Sequence, residues 1–138
     1  MKKLFLKAVS SMHTALFRMT GGRRGGSMMN VPILLLTTKG RKSGTERTTP
    51  LMYTRDGGNL VLIASVGGAP RNPGWYWNLQ GQDAEVQIGP ERRRVRARDA
   101  EGEERERLWA AMVSLYPNYA QYQQKTSRRI PVVVLEPV

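Results

Sequence analysis

The chain has 138 residues, of which 40% are hydrophobic and 24% are charged, and this composition is typical of one globular domain rather than a disordered segment. It contains no cysteine and a single histidine, His13, which excludes disulfide bonds, thiolate nucleophiles and multi-histidine centres, so no metal site is expected. The formal net charge of +11 favours an anionic partner: nucleic acid, acidic lipid, or a ligand with phosphates and carboxylates.

Residues 2–19 carry apolar side chains at helical spacing, which predicts an amphipathic helix. Lys7 interrupts its apolar stretch, which argues against a signal peptide, and no apolar run in the chain is long enough to cross a bilayer. The helix can pack on the domain or lie as a basic anchor on a membrane surface. A glycine-rich loop at 21–27 ends it, so we separate an N-terminal helix and loop (1–27) from the main part (28–138) of what is a single domain overall.

The rest of the chain alternates short apolar runs with turn signals and a few helical patterns. Strands are predicted at 32–38, 48–54, 59–65, 84–88, 92–98 and 130–135. AspGlyGly at 56–58 and GlyProGlu at 89–91 predict two hairpin turns. Helices are predicted at 73–81, 101–115 and 117–125. The pattern predicts a mainly β (α+β) fold, a small barrel of antiparallel strands with peripheral helices and an N-terminal helix, and no glycine fingerprint of a Rossmann fold is present.

The first candidate site is the basic loop KGRKSGTER at 39–47. Its two glycines permit a tight turn whose backbone N–H groups can face an anion. Lys39, Arg41, Lys42 and Arg47 surround that turn with donors suited to phosphate or carboxylate. The alternative is a solvated hairpin tip whose charges keep the protein soluble.

The second candidate site is the segment from Ser65 to Leu79. Gly67 and Gly68 directly follow a predicted strand, which suits close approach of a ligand to the backbone. The aromatic run at 75–77 can present one ring to a flat heterocycle, and Asn78 can hydrogen-bond the edge of that heterocycle. The alternative is a glycine turn beside ordinary aromatic packing.

Two further patterns concern tyrosines and arginines. Tyr116, Tyr119 and Tyr122 are phenols that stay neutral at pH 7, so they can donate to a carbonyl or nitro oxygen or simply pack in the core. Alternating arginines put one charged face on the strand 92–98, which predicts a solvated edge strand that discourages aggregation. A polyanion-binding stripe is the alternative, although no nucleic-acid-binding motif accompanies it.

Together these motifs resemble the deazaflavin-dependent nitroreductase family of actinobacteria, within the flavin and deazaflavin oxidoreductases of split-barrel fold. The resemblance covers nearly the whole chain, in the family's order and spacing. It rests on TGGR at 20–23, TKGRKSG at 38–44, RTTPL at 47–51, ASVGGAP at 64–70, NPGWYWNL at 72–79 and RRIPVVV at 128–134.

The resemblance implies a split β-barrel enzyme that passes hydride from reduced coenzyme F420 to a small organic acceptor such as a quinone, enone or nitroaromatic. The cofactor tail, which carries a phosphate and glutamates, would be held by Arg41, Lys42, Ser43 and Arg47. The deazaflavin ring would lie against Pro50, Leu51, Met52, Ala64, Ser65, Val66 and Gly67, with Gly74, Trp75 and Asn78 nearby. The acceptor pocket and any assistance to hydride transfer would come from Ser65, Tyr116, Tyr119 and Tyr122.

Two residues depart from the family's pattern. Val66 stands where members commonly have lysine, which removes one tail contact, and Met52 stands where some nitroreducing members have tyrosine, which argues against nitroimidazole reduction. A flavin enzyme that uses FMN on the same barrel and a non-catalytic polyanion-binding module are the alternatives. We expect a cytoplasmic protein with a small-molecule acceptor and no nucleic-acid partner. Contact of residues 1–19 with the inner face of the membrane and the oligomeric state stay open.

Overall fold

The computed structural model describes residues 27–28 and 31–138. Its strands are β1 (Ser27–Met28), β2 (Val31–Lys39), β3 (Glu46–Met52), β4 (Thr54–Asp56), β5 (Asn59–Ile63), β6 (Asp83–Ile88), β7 (Glu91–Asp99) and β8 (Val132–Pro137). Its helices are α1 (Gly74–Asn78), α2 (Gly102–Leu115) and α3 (Asn118–Gln124). None of the helices in this part of the chain is long and apolar enough to span a membrane. The helix predicted at 2–19 lies outside the described residues.

One antiparallel sheet forms the body of the molecule and curls into a split barrel. The strands follow the order β1-β2-β6-β7-β8-β5-β4, and β3 pairs with β2. β3 and β4 are consecutive in the chain and are separated only by Tyr53, so the same stretch pairs with β2 before the break and with β5 after it. This bend brings the two ends of the sheet together and confirms the predicted split barrel.

The core has two parts, one on each side of β5 and β8. Leu60, Leu62 and Val133 point into the barrel, whereas Val61 and Val132 point out toward α2 and α3. Because alternate side chains of a strand face opposite sides, both sides of these strands are covered. That double burial explains why their sequences read as continuous apolar runs rather than as alternating ones.

Most predicted elements are confirmed, with shifted ends. Turns at Gly57–Gly58 and Gly89–Pro90 join β4 to β5 and β6 to β7, as predicted. The single strand predicted at 48–54 is instead divided at Tyr53, whose side chain is buried in the barrel.

The prediction that the arginine-rich strand lies at an edge of the sheet is wrong. β7 pairs with β6 on one side and with β8 on the other. Val95 and Ala97 face the barrel interior, so the alternating arginines lie on its outer surface, as their spacing indicated. The sequence period reports which face a side chain occupies, but it carries no information on the distant partner strand β8.

Candidate active site

A cleft of about 700 Å³ opens between the loop that follows β2, the strand β3 and the helix α1. Its lining includes these predicted cofactor residues: Arg41, Lys42, Ser43, Arg47, Gly74, Trp75 and Asn78. Gly40 of the basic loop also lines it, together with Thr38 and Thr49, which the sequence analysis did not assign to the site. Thr38 and Thr49 could have been found from their positions in the two strands that flank the basic loop, because the residues of such a hairpin lie close to a site at its turn.

The basic loop is a compact turn that its own backbone holds together. The Gly40 N–H donates to the Thr45 carbonyl and the Gly44 N–H donates to the Gly40 carbonyl, both at 2.9 Å. Gly44 has φ of +68°, a conformation that residues with a side chain rarely adopt. A Cβ at Gly40 would lie 2.6 Å from the Ser43 Oγ, so the turn is closely packed at Gly40, whereas the space around Gly44 is open.

The cations of this loop have no acidic partners. Arg41, Lys42 and Arg47 are exposed, and no carboxylate among residues 27–28 and 31–138 lies within ion-pair distance of them. The rest of the chain, 1–26 and 29–30, contains neither Asp nor Glu. Their positive charge therefore acts on whatever enters the cleft.

The helix α1 forms the opposite wall. Trp75 packs partly against the barrel core while it also lines the cleft, and the Asn78 amide lies 3.4 Å from the Thr38 Oγ1 of β2. Between them in the chain, the buried Tyr76 donates its hydroxyl hydrogen to Asp99 at 2.5 Å, which fixes α1 to the end of β7. Burial and this hydrogen bond raise the pKa of Tyr76 to about 12.

The residues predicted to contact the ring from β3 and from the end of β5 do not line this cleft. Leu51 packs against the barrel interior, and strand alternation puts Pro50 and Met52 on the other side of the sheet. Ala64 is part of the barrel core and Ser65 is 8% exposed. Of the predicted ring contacts, those on α1 (Gly74, Trp75 and Asn78) line the cleft. The others, at 50–52 and 64–67, lie outside its lining.

The turn that follows β5 has an unusual backbone. Val66, Gly67 and Gly68 have φ of 45°, 62° and 86°. A β-branched residue at positive φ is strained, and such strain persists only where the surroundings hold it. Val66 is also 52% exposed, so apolar packing of its own side chain does not fix this conformation.

Tyr116, Tyr119 and Tyr122 come together at this turn. Their ring centroids lie 5.2 to 6.3 Å apart, and the Tyr116 and Tyr122 hydroxyls are 3.2 Å from each other. Burial raises the pKa of Tyr119 to about 12, and the hydrogen bond with Tyr116 raises that of Tyr122. Tyr119 and Tyr122 are therefore protonated at neutral pH and can donate hydrogen bonds.

The tyrosine cluster is joined to the turn rather than to the basic loop. A Cβ on Gly68 would lie 2.6 Å from the Tyr122 carbonyl oxygen, so only glycine lets α3 pack this closely. None of the three tyrosines lines the cleft. Within the described part of the chain, no three His, Cys, Asp or Glu side chains come together as a metal site would require.

The split barrel, the cations without acidic partners and the aromatic wall fit an oxidoreductase whose cofactor has an anionic tail and a flat ring. The chain belongs to the F420H(2)-dependent quinone reductase family, because residues 9–137 match that family's profile. It is an F420-dependent reductase and coenzyme F420 is its cofactor. The resemblance to the deazaflavin-dependent oxidoreductases is thereby confirmed, and so is the choice of F420 over FMN.

Similar proteins agree with this assignment. The chain is 44% identical over 129 residues to the F420H(2)-dependent quinone reductase Rv1261c of Mycobacterium tuberculosis, which covers 90% of this chain and 87% of that one. A solved F420-H2 dependent reductase, FDR-A, is 46% identical with a TM-score of 0.70, covering 76% of this chain and 94% of its own. A structure described as a domain-swapped dimer is 40% identical with a TM-score of 0.72, covering 93% and 96%.

Proposed function

We propose that this F420-dependent reductase binds the anionic tail of its cofactor on the loop 39–47 and reduces a quinone beside the tyrosine cluster. The observation that carries the first part is the set of cations without acidic partners, Arg41, Lys42 and Arg47, beside a glycine turn. Phosphate and carboxylate groups bind such donors through charge-assisted hydrogen bonds. The volume of about 700 Å³ is in the range of ordinary ligand sites.

The cleft wall that α1 forms opposite the basic loop is the position we propose for the deazaflavin ring. Trp75 offers a flat aromatic surface and Asn78 offers an amide that can both donate and accept hydrogen bonds. When bound, the reduced deazaflavin supplies a hydride. The protein's contribution is to hold the ring, exclude water and orient the acceptor, which are the usual tasks of a protein around a redox cofactor.

The acceptor assignment rests on the relatives' names and on the chemistry of the phenols. A quinone that accepts hydride gains negative charge on one oxygen and needs one proton to become the hydroquinone. Protonated phenols donate to such an oxygen, and we assign this role to Tyr122 first, then to Tyr119, with Tyr116 and Ser65 as further donors. Enones and nitroaromatics present a similar oxygen, so they rank as second acceptors.

We also propose that the protein works in the cytoplasm with a small-molecule acceptor and without a nucleic-acid partner. The basic amphipathic pattern of residues 2–19 supports contact with an anionic membrane surface. The relative described as a domain-swapped dimer makes dimerisation worth testing by light scattering. Flotation with anionic vesicles, with and without residues 1–26, tests the membrane contact.

The cofactor site is tested by fluorescence titration with F420, with FMN titrated in parallel. Saturable F420 binding at micromolar or tighter concentration supports the site, and FMN binding with no response to F420 contradicts it. The acceptor site is tested by steady-state oxidation of F420H2 with a quinone, an enone and a nitroaromatic. The double variant Tyr119→Phe, Tyr122→Phe should lower quinone turnover about 100-fold and spare F420 affinity. The matched control Tyr53→Phe, in the barrel core, should leave turnover unchanged.

A further inference from the structure

Arg128, which lies between α3 and β8, hydrogen-bonds residues on both sides of the turn after β5 through every nitrogen of its side chain. Its Nη2 donates to the Ala64 carbonyl at 3.1 Å and to the Ser65 carbonyl at 2.8 Å. Its Nε donates to the Ala69 carbonyl at 2.8 Å, and its Nη1 donates to the Asn72 Oδ1 at 2.6 Å. One guanidinium group therefore spans both ends of the segment 64–72.

The backbone around Arg128 is itself held by α3. The Gln123 Nε2 donates to the Arg128 carbonyl at 2.7 Å, and the Ile130 N–H donates to the Gln123 Oε1 at 3.0 Å. A single amide side chain thus fixes both neighbours of residue 129. Since Gln123 follows Tyr122 in the same helix, its hydrogen bonds and those of Arg128 connect the helix that carries Tyr122 to the segment 64–72.

All four acceptors of Arg128 are neutral. No carboxylate of residues 27–28 or 31–138 lies within ion-pair distance of this guanidinium, and its positive charge is balanced only by carbonyl and amide dipoles. Burial lowers the pKa of Arg128, which agrees with the loss of hydration. A half-buried arginine without a carboxylate partner gains from every hydrogen bond that replaces lost water contacts.

The segment 64–72, which Arg128 contacts, has a strained backbone with few hydrogen bonds of its own. It contains the strained Val66 and two glycines at positive φ. Beyond the Ala64 N–H, which donates to the Pro131 carbonyl, its backbone makes only short turn bonds, from Gly68 N–H to the Ser65 carbonyl and from Ala69 N–H to the Val66 carbonyl. Asn72, the far contact of Arg128, lies two residues before α1. The clamp therefore ties the turn to the start of the helix that carries Trp75.

We propose that Arg128 is a positioning residue for the cofactor site, and that the shape of its guanidinium rather than its charge keeps the segment 64–72 in the binding conformation. The inference rests on the proposed position of the deazaflavin ring. A lysine at 128 keeps the charge but offers one nitrogen, which cannot reach four acceptors spread over nine residues. Charge and geometry can therefore be separated by substitution.

The test compares Arg128→Lys and Arg128→Ala with the matched control Arg129→Ala, which removes the same charge from the exposed neighbouring residue. F420 affinity is measured by fluorescence titration, and hydrogen exchange of the Gly68 and Ala69 amides is measured in the protein without cofactor. We expect Arg128→Lys to weaken F420 binding about tenfold or more and to speed exchange of both amides. Arg129→Ala should change affinity less than about twofold. Methylguanidinium should restore much of the affinity of Arg128→Ala, against a sodium chloride control of equal ionic strength.

Wild-type affinity and slow exchange in Arg128→Lys would overturn the proposal, because charge alone would then suffice. Equal losses in Arg128→Lys and Arg129→Ala would overturn it as well. If Arg128→Ala does not fold, Asn72→Ala removes one of the four bonds and should give a smaller loss of affinity in the same direction. If the wild-type protein binds no F420, the proposed cofactor site fails, whereas unchanged exchange in Arg128→Lys specifically refutes the clamp.

Discussion

Two basic regions of this molecule have similar composition and opposite surroundings. The loop 39–47 carries exposed cations without acidic partners beside a cleft, whereas each of the alternating arginines of β7 has a carboxylate within 4 Å. Those pairs join Arg92 to Glu85, Arg94 and Arg96 to Asp83, and Arg98 to Glu104 and Glu136. We call these two regions the open loop and the paired stripe.

The difference shows that net charge alone does not locate a binding site. Exposed ion pairs contribute between nothing and about 1 kcal/mol each to stability, so the carboxylates of the paired stripe matter more for cancelling its field than for holding the barrel together. The open loop keeps its field. Two stretches that are both rich in basic residues therefore differ in effect, since one attracts anions and the other is largely neutral.

The largest expected effect comes from removing charge from the open loop. The double variant Lys42→Ala, Arg47→Ala should weaken F420 binding about 100-fold, since each charge-assisted contact is worth roughly 1.4 kcal/mol or more. The melting temperature should hardly change, because neither side chain has a partner in an ion pair. Arg94→Ala, Arg96→Ala removes the same charge from the paired stripe and should leave affinity within about twofold. Equal losses in both variants would mean that only the overall field matters.

A second experiment removes carboxylates that neutralise the arginines of the paired stripe. Asp83→Asn with Glu85→Gln removes the partners of Arg92, Arg94 and Arg96. We expect DNA to bind about tenfold more tightly at low salt, with a log–log salt slope steeper by about two, and F420 affinity to stay the same. Filter binding across a salt series measures the affinity for DNA and its salt slope, and fluorescence titration measures the affinity for F420. DNA binding that does not respond would show that the carboxylates do not mask the stripe.

A third experiment changes the shape of the open loop but not its charge. Gly44→Ala puts a side chain at φ of +68° with no atom within 4 Å, so only backbone strain of about 1 kcal/mol is added. F420 affinity should fall about fivefold. Gly57→Ala in the β4–β5 turn adds the same strain at φ of +60°, also without a nearby atom, and should lower stability but not affinity. An affinity loss in Gly57→Ala would indicate a general loss of stability as the cause.

The smallest expected effect is on the pH dependence of thermal stability. Arg98 holds the pKa of Glu104 below its ordinary value of 4.5, chiefly through their hydrogen bond, so the stability from this pair is present above pH 4.5 and is lost as pH falls through the lowered value. Arg98→Ala should melt a few degrees below wild type at pH 7, and this difference should shrink toward pH 3. Thermal melts across that range measure it. A difference that does not depend on pH would assign the loss to packing instead.

The fold was largely predictable because strand period, hairpin turns and helix-opening residues are local signals. The interior position of β7 was not predictable, since its partner β8 begins 33 residues after β7 ends and only pairing across the barrel brings them together. The break at Tyr53 was missed for a related reason: it depends on where the sheet must bend to close, and the sequence 48–54 itself favours one strand.

The candidate site was predictable where side chains of one loop act together. The open loop and α1 meet at one cleft, as their charges and aromatics indicated. Arg128 was not singled out, because its role follows from four acceptors that lie 56 to 64 residues away in the chain. Pro50 and Met52 were assigned to the ring by motif position alone, and alternation along β3 puts them away from the cleft.

The close packing at Gly68 limits how this protein can evolve. Any side chain there would collide with the backbone of α3, since the Tyr122 carbonyl oxygen and Cα lie 2.6 and 3.1 Å from the position of its first atom. The turn and the tyrosine helix must therefore be inherited as one unit. Under the proposed function, the side chains at 116, 119 and 122 are the ones to vary when a different acceptor is sought, because the backbone that joins the turn to α3 has no room to change.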